Sequence, residues 1–182
     1  SIRYSDGLSG FAQEPGECVN YVSCHDNLTL WDKISRSNAF DSRGDRISMD
    51  LLAQAIVLTS QGIPFLEGGA ELLRTKRGHH NSYRAGDEVN QFEWRRKHEF
   101  REVFDYYRGL IEVRRAHPAF RMTTAAQVRS AVRFIPGPPG TVLFELDGSV
   151  CGDEWDFIAV IYNANRHEVE IALPTHGEWS IV

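Results

Sequence analysis

Along the chain the spacing of apolar positions changes character twice. The β-branched and aromatic run Val19-Asn20-Tyr21-Val22-Ser23 predicts a short strand that ends on the polar His25-Asp26-Asn27. A polar stretch through Arg36, Ser37, Asn38 and Gly44 then reads as loop. From Asp45 to about Ser60 the period becomes helical, with Ile47, Leu51, Ala55 and Leu58 near one face and Leu52, Ile56 and Thr59 beside them. So wide an apolar face predicts a helix buried against a sheet. Asp45 in its opening turn suits the helix dipole, and Gly62 and Pro64 end it. Ile63-Pro64-Phe65-Leu66 follows as a second short apolar strand, so strand, helix and strand form one βαβ unit of a parallel sheet.

Residues 67 to 97 are polar and glycine-rich and read as one long loop, a length that in compact domains usually accompanies function. An amphipathic helix is expected from about Lys97 to Arg115, its stripe made of Phe100, Val103, Phe104, Tyr107, Leu110 and Ile111, with Pro118 as the stop. After Phe120 the period changes to two. Strands are expected at 127–135, 141–146, 155–162, 168–173 and 179–182, separated by Pro-, Gly- and Asn-rich turns, one of them at 174–177. The first 17 residues, with Gly7, Gly10, Pro15 and Gly16, read as loop.

This order of elements predicts an α/β chain: part of an α/β barrel over residues 1–118, then an antiparallel β-sandwich domain over 119–182. A two-strand parallel sheet cannot close or cover itself, so the chain is expected to be part of a larger unit. The last strand has no closing turn, so truncation of the sandwich is expected too.

Composition narrows the classes. With 42% hydrophobic and 25% charged residues the chain has the make-up of a globular protein. The net charge of −5, with Arg and Lys dispersed, argues against a nucleic-acid partner. No apolar run approaches the roughly 20 residues that span a bilayer, so no membrane partner is expected. There is neither an initiator Met nor a signal pattern at Ser1, and the compartment is left open. Cys18, Cys24 and Cys151 are odd in number and match no metal-ligand spacing, and they are expected as thiols. His79 and His80 have no third ligand at a sensible spacing, and no acidic cluster specifies calcium. No metal or cofactor is expected.

The strongest local constellation is His25-Asp26-Asn27. At the C-terminal end of a parallel barrel strand such residues face the active site, where a carboxylate can stabilise developing positive charge and an imidazole can bond sugar hydroxyls. From the tripeptide alone, a capping role for Asp26 competes with this reading. In the loop beyond the second strand, Asn81, Tyr83, Asp87 and Asn90 offer amide, phenol and carboxylate groups suited to sugar hydroxyls, and Tyr83 offers a stacking face. A self-bonded loop is the competing reading. Trp31 and Trp94 could stack on sugars, although buried packing is expected for each, and Trp155 and Trp179 read as strand-core residues.

The longer run Val19-Asn20-Tyr21-Val22-Ser23-Cys24-His25-Asp26-Asn27-Leu28-Thr29-Leu30-Trp31-Asp32-Lys33-Ile34 resembles the fourth signature region of the alpha-amylase superfamily, in its type I pullulanase form. Leu58-Thr59-Ser60-Gln61-Gly62-Ile63-Pro64-Phe65-Leu66 is similar to that family's seventh helix leading into its eighth strand. The run from Leu73-Arg74-Thr75-Lys76 through Asn81-Ser82-Tyr83 to Gly86-Asp87-Glu88-Val89-Asn90 resembles the loop that follows. The departures are Glu67-Gly68-Gly69-Ala70-Glu71, where relatives more often carry a His-Ala-Gly-Glu-Glu-like run, and Cys24, at a variable position.

The resemblance implies a (β/α)8 barrel, of which this chain holds about strands 7–8 and their helices. It implies retaining hydrolysis of alpha-1,6 linkages in a branched alpha-glucan, with Asp26 as the transition-state-stabilising carboxylate and His25 on the same sugar. It further implies that the nucleophile and acid/base carboxylates lie upstream of Ser1, so that the chain alone is inactive. Isoamylase-like or other debranching relatives, and a non-catalytic amylase-like binding or interaction protein, are the alternatives.

Overall fold

The computed structural model describes residues 10, 12–174 and 177–182. The loop expected over the first 17 residues therefore lies outside the described residues at positions 1–9 and 11. So do Thr175 and His176 of the turn expected at 174–177. The chain divides into two compact units, Gly16–Ala116 and His117–Val182, the latter joined by the described residues before Gly16.

In the first unit the strands β1 (Val19–Asn20) and β2 (Ile63–Pro64) pair in parallel, Val19 opposite Ile63 and Asn20 opposite Pro64. Ile63 N donates to Cys18 O at 2.8 Å and Phe65 N to Asn20 O at 2.9 Å. The connection between them holds two helices. Residues read as polar loop from sequence instead form α1 (Leu30–Ser37), because Thr29 caps it by accepting from Asp32 N, and Ile34 is buried on its inner face. The second helix, α2 (Arg43–Thr59), is capped by Ser42, whose Oγ accepts from Asp45 N at 3.0 Å. Gly62, at φ +102°, makes the turn into β2, and a side chain there would meet Cys18 O at 2.9 Å.

The segment expected to be one loop is broken by a 3-10 turn at Ala70–Leu72 and by the one-turn helices α3 (Asp87–Asn90) and α4 (Arg96–Glu99). The long amphipathic helix begins only at Arg101, as α5 (Arg101–Ala116), because Phe100 leaves helical geometry at φ −115° and ψ 45°. Phe100, Val103 and Tyr107 of this stretch form the core with Ala70 and Leu73, and Trp31, Ile47 and Leu51 pack against it. Arg114 anchors the other end of α5. Its guanidinium donates to Leu58 O and Ser60 O at 2.8 Å and to Gly62 O at 2.7 Å, satisfying carbonyls that the end of α2 leaves without helical partners.

The second unit corrects part of the all-β expectation. Residues 127–131, expected in a strand, belong instead to the helix α6 (Ala125–Ala131). A reciprocal capping box between Thr124 and Gln127 starts it, and Ala125, Val128 and Ala131 are buried at helical spacing. Three strands follow in one antiparallel sheet: β3 (Val132–Ile135), β4 (Thr141–Asp147) and β5 (Phe157–Asn163), with β4 central. Phe144 meets Phe134 and Tyr162 across the sheet, with ring centroids 5.6 and 5.8 Å away. Segments 168–173 and 179–182 carry no strand pairing among the described residues. Their alternation fixes which side chains share a face but supplies no backbone partner. Trp155 and Trp179 lie outside the strands: Trp155 stacks on His117 at 3.5 Å, and Trp179 Nε1 donates to Pro174 O at 3.0 Å. No helix among the described residues is long and apolar enough to cross a membrane.

Candidate active site

His25 and Asp26 lie on the segment that leaves β1, and both are exposed. His25 Nε2 stands 3.3 Å from Asp26 Oδ2, and the next residue, Asn27, turns the chain with φ +61°. An exposed His–carboxylate pair keeps its polar atoms turned to solvent, where a polyhydroxyl ligand can replace water.

Below the pair sits a buried ionic support that the sequence reading did not pick out. Lys76, on the loop that leaves β2, is buried and donates from Nζ to His25 O at 3.1 Å. The same ammonium lies 3.7 Å from Glu67 Oε1, and Arg74 Nη1 reaches that oxygen at 3.8 Å. Buried charges persist when they are paired, and here one carboxylate lies between two cations. Asp32, on α1, locks the loop a second time by accepting from Thr75 Oγ1 at 2.5 Å and from Lys76 N at 2.8 Å. The legible signal for Asp32 is the Thr29-x-x-Asp32 capping pattern. For Lys76 the sequence offers only a run of cations from Arg74 to Arg77, in which nothing marks the buried member.

The loop residues divide. Asn81, Tyr83 and Asp87 are exposed, Tyr83 with the Arg84 guanidinium 5.4 Å from its ring. Asn90 is half-buried and turned inward: its amide donates to Ser82 O and Ala85 O, both at 2.8 Å, so its donors bind the loop to itself. Arg74 Nη2 bonds Asn90 O at 2.9 Å, and its guanidinium lies 4.2 Å from the Phe92 ring. Lys76 thus ties the His25 segment to this loop, while the side chains of Asn81, Tyr83 and Asp87 stand free of the buried support. Trp31 packs against the core as expected. Trp94, expected buried, is 66% exposed and stacks on Phe92 with ring planes 17° apart, because the loop offers it a ring but no pocket.

One juxtaposition falls outside the spacing rules. Cys24, His25 and Asp26 bring a sulfur, an imidazole nitrogen and a carboxylate oxygen within 4.8 Å of one another.

The family model described as "Pullulanase, all-beta domain" matches residues 128–182. A pullulanase of Bacillus subtilis (strain 168) is 39% identical over 167 residues, covering 92% of this chain and 23% of the relative. Among solved structures, a mutant pullulanase from Paenibacillus barengoltzii complexed with maltotetraose superposes with a TM-score of 0.94 at 47% identity, covering 98% of this chain and 28% of that one. The pullulanase from Bacillus acidopullulyticus gives 0.83 at 55% identity, covering 85% of this chain and 19% of that one. The chain thus spans about a quarter of the length of the proteins it matches. Over most of its length the chain is thus similar to one part of the pullulanases, and residues 128–182 match that family's all-beta domain.

Proposed function

We propose that this chain is part of a retaining glycoside hydrolase that cleaves alpha-1,6-glucosidic branch linkages in pullulan, starch or glycogen-derived dextrins. In this reading residues 1–118 form about strands 7–8 of a (β/α)8 barrel with their helices, and residues 119–182 belong to a β-sandwich domain. What supports the barrel is the parallel pair itself. Parallel sheets are covered on both faces, whereas Val19, Tyr21, Ile63 and Phe65 are exposed along β1 and β2 and call for neighbouring strands.

The observation that carries the activity is the exposed His25–Asp26 pair beyond β1, braced by the buried Lys76 from the loop beyond β2. Asp26 is the carboxylate that stabilises the oxocarbenium-like transition state, and His25 bonds the same sugar. Asn81, Tyr83, Asp87 and Asn90 belong to the glucan-binding loop, Tyr83 by stacking and Asn90 by holding the loop in shape. The maltotetraose bound by the Paenibacillus barengoltzii relative supports a glucan as ligand. The nucleophile and acid/base carboxylates, about 5–5.5 Å apart in a retaining site, come from the portion of the relatives that this chain does not span.

In the complete enzyme Asp26→Asn is expected to lower kcat on pullulan by about 10³-fold or more, and a near-normal rate removes Asp26 from the catalytic set. The chain by itself is expected to release no reducing sugar from pullulan, and measurable release would overturn the division of the three carboxylates.

A further inference from the structure

We infer that Cys24, His25 and Asp26 form a binding site for a borderline-soft divalent cation of the zinc type. The donor set is one sulfur, one imidazole nitrogen and one carboxylate oxygen, all within 4.8 Å of one another. Zinc takes nitrogen and oxygen ligands at about 2.0–2.2 Å and sulfur at about 2.3 Å, so tetrahedral neighbours lie roughly 3.3–3.6 Å apart. His25 Nε2 and Asp26 Oδ2 are already 3.3 Å apart. The ion would thus enter a pair set at ligand spacing, and the Cys24 sulfur needs only a side-chain adjustment to close the third bond.

The chemistry of the set selects the ion. Calcium and magnesium require six or more oxygen ligands, which three mixed donors do not supply, whereas sulfur and imidazole suit zinc and cobalt. His25 and Asp26 are exposed and Cys24 is half-buried, so an ion reaches the site from solvent and keeps water in its fourth position. The Lys76 ammonium is directed at the His25 carbonyl and Glu67, so it braces the backbone from beneath. Binding replaces the Cys24 S–H bond with a sulfur–metal bond and releases the proton to buffer.

The consequence for catalysis rests on the reading of Asp26 above: an ion coordinated there takes the carboxylate away from the sugar, and the site is inhibitory. Cys24 has no part in the proposed hydrolysis, so Cys24→Ser keeps the basal rate and loses the inhibition.

The test uses the complete, metal-free protein titrated with cobalt(II) and read by the thiolate-to-cobalt charge-transfer absorption. One equivalent is expected to develop the band, zinc to abolish it by displacement, and Cys24→Ser to lose it, while Cys151→Ser retains it. As a check that needs no variant, zinc is expected to slow alkylation of Cys24 at least about 10-fold and to leave Cys151 unchanged. Absence of the band, its persistence in Cys24→Ser, or unprotected alkylation of Cys24 would overturn the site. Zinc inhibition of pullulan hydrolysis that disappears in Cys24→Ser supports both readings. A Cys24-dependent band with no effect of zinc on the rate leaves the metal site standing and removes Asp26 from catalysis.

Discussion

Tyr107 on α5 donates its phenolic hydrogen to Asp50 Oδ1 on α2 at 2.9 Å, and both side chains are almost completely buried. The bond joins the two long helices of the first unit at the edge of the Phe100–Val103–Leu73 cluster. A carboxyl so placed is poorly solvated when charged, and burial raises Asp50 from 3.8 to about 7 against the opposing effect of the Tyr107 hydrogen bond. The same burial, with the nearby Asp50 charge, pushes the Tyr107 phenol far above its ordinary range, so Tyr107 stays the donor.

This pair makes stability depend on pH. Because the folded value lies above the unfolded one, the native state holds the proton that the unfolded chain gives up between pH 3.8 and about 7. The contribution is full below the unfolded value and is lost as pH rises through about 7. Its size is on the order of 4 kcal/mol, from about three pH units at roughly 1.4 kcal/mol each. Asp50→Asn keeps an acceptor for Tyr107 and cannot ionise. It is expected to melt higher than wild type at pH 8 and to show no advantage at pH 4, as measured by thermal denaturation at the two values.

Arg114 invites a second substitution. Its fork serves three carbonyls at the end of α2 and the entry to β2, an arrangement that Lys cannot reproduce with one ammonium. Arg114→Lys is expected to lower stability by about 2 kcal/mol and Arg114→Ala by about 3–4 kcal/mol. Chemical denaturation of the folded protein reads both, and an Arg114→Lys variant as stable as wild type beside a destabilised Arg114→Ala would show that packing of the stem, not the fork, is what matters.

The elements that sequence made legible were those with a long period or an uninterrupted strand pattern. α2, the stripe of α5 and the strands β4 and β5 all announce themselves in this way, as does His25-Asp26-Asn27 by its place after a strand. What escaped was short and set by side-chain-to-backbone bonds. α1 depends on the Thr29 cap, and α6 on a box that turns residues 127–131 away from the expected strand. The support of the site escaped for a different reason. Asp32 is far in sequence from Glu67 and Lys76, and charged residues carry no periodic mark that separates a buried ion pair from a solvated one. Trp94 shows the converse, since aromatic character alone did not reveal that its loop would leave it exposed.

Gly148 provides a test in the second unit. A side chain at this position would lie 2.0 Å from Trp155 O, a backbone atom that cannot yield as a flexible side chain would. The turn it opens is held by Gly148 N donating to Asp156 O at 2.9 Å and by Asp153 N donating to Gly148 O at 3.0 Å. Gly148→Ala is therefore expected to lower stability by about 3 kcal/mol or more. The shift is readable by denaturant titration, and a loss below about 1 kcal/mol would mean that the turn relaxes.

Beside it, Asp153 gives an acid-side prediction. Burial of this carboxyl works to raise it, yet the His117 hydrogen bond and the N–H groups of Ala119 and Trp155 outweigh burial and hold it below the ordinary carboxylate value. A depressed folded value contributes stability that is present above the unfolded value, near 3.8, and lost as pH falls through the folded one. Asp153→Asn is expected to melt below wild type at pH 7 and to approach it in strong acid. A constant gap across that range would assign the loss to geometry and not to charge.

The brace beneath the candidate site yields the most direct link from structure to rate. Lys76→Met keeps the length of the stem but frees the His25 carbonyl and leaves Glu67 with Arg74 as its cation. Removing one member of a buried ionic group costs about 3–5 kcal/mol, so activity is compared per folded molecule, well below the melting transition. Displacement of a reacting carboxylate by about 1 Å lowers a rate by about 10²-fold. The complete enzyme carrying Lys76→Met is expected to lose kcat on pullulan to about that extent while KM changes much less, because the loop proposed to bind the glucan keeps its own Asn90 and Arg74 bonds. A folded Lys76→Met enzyme with unaltered kcat would show that the His25–Asp26 segment holds its position without the ammonium, and Asp32 and Thr75 would then be the residues that fix the loop.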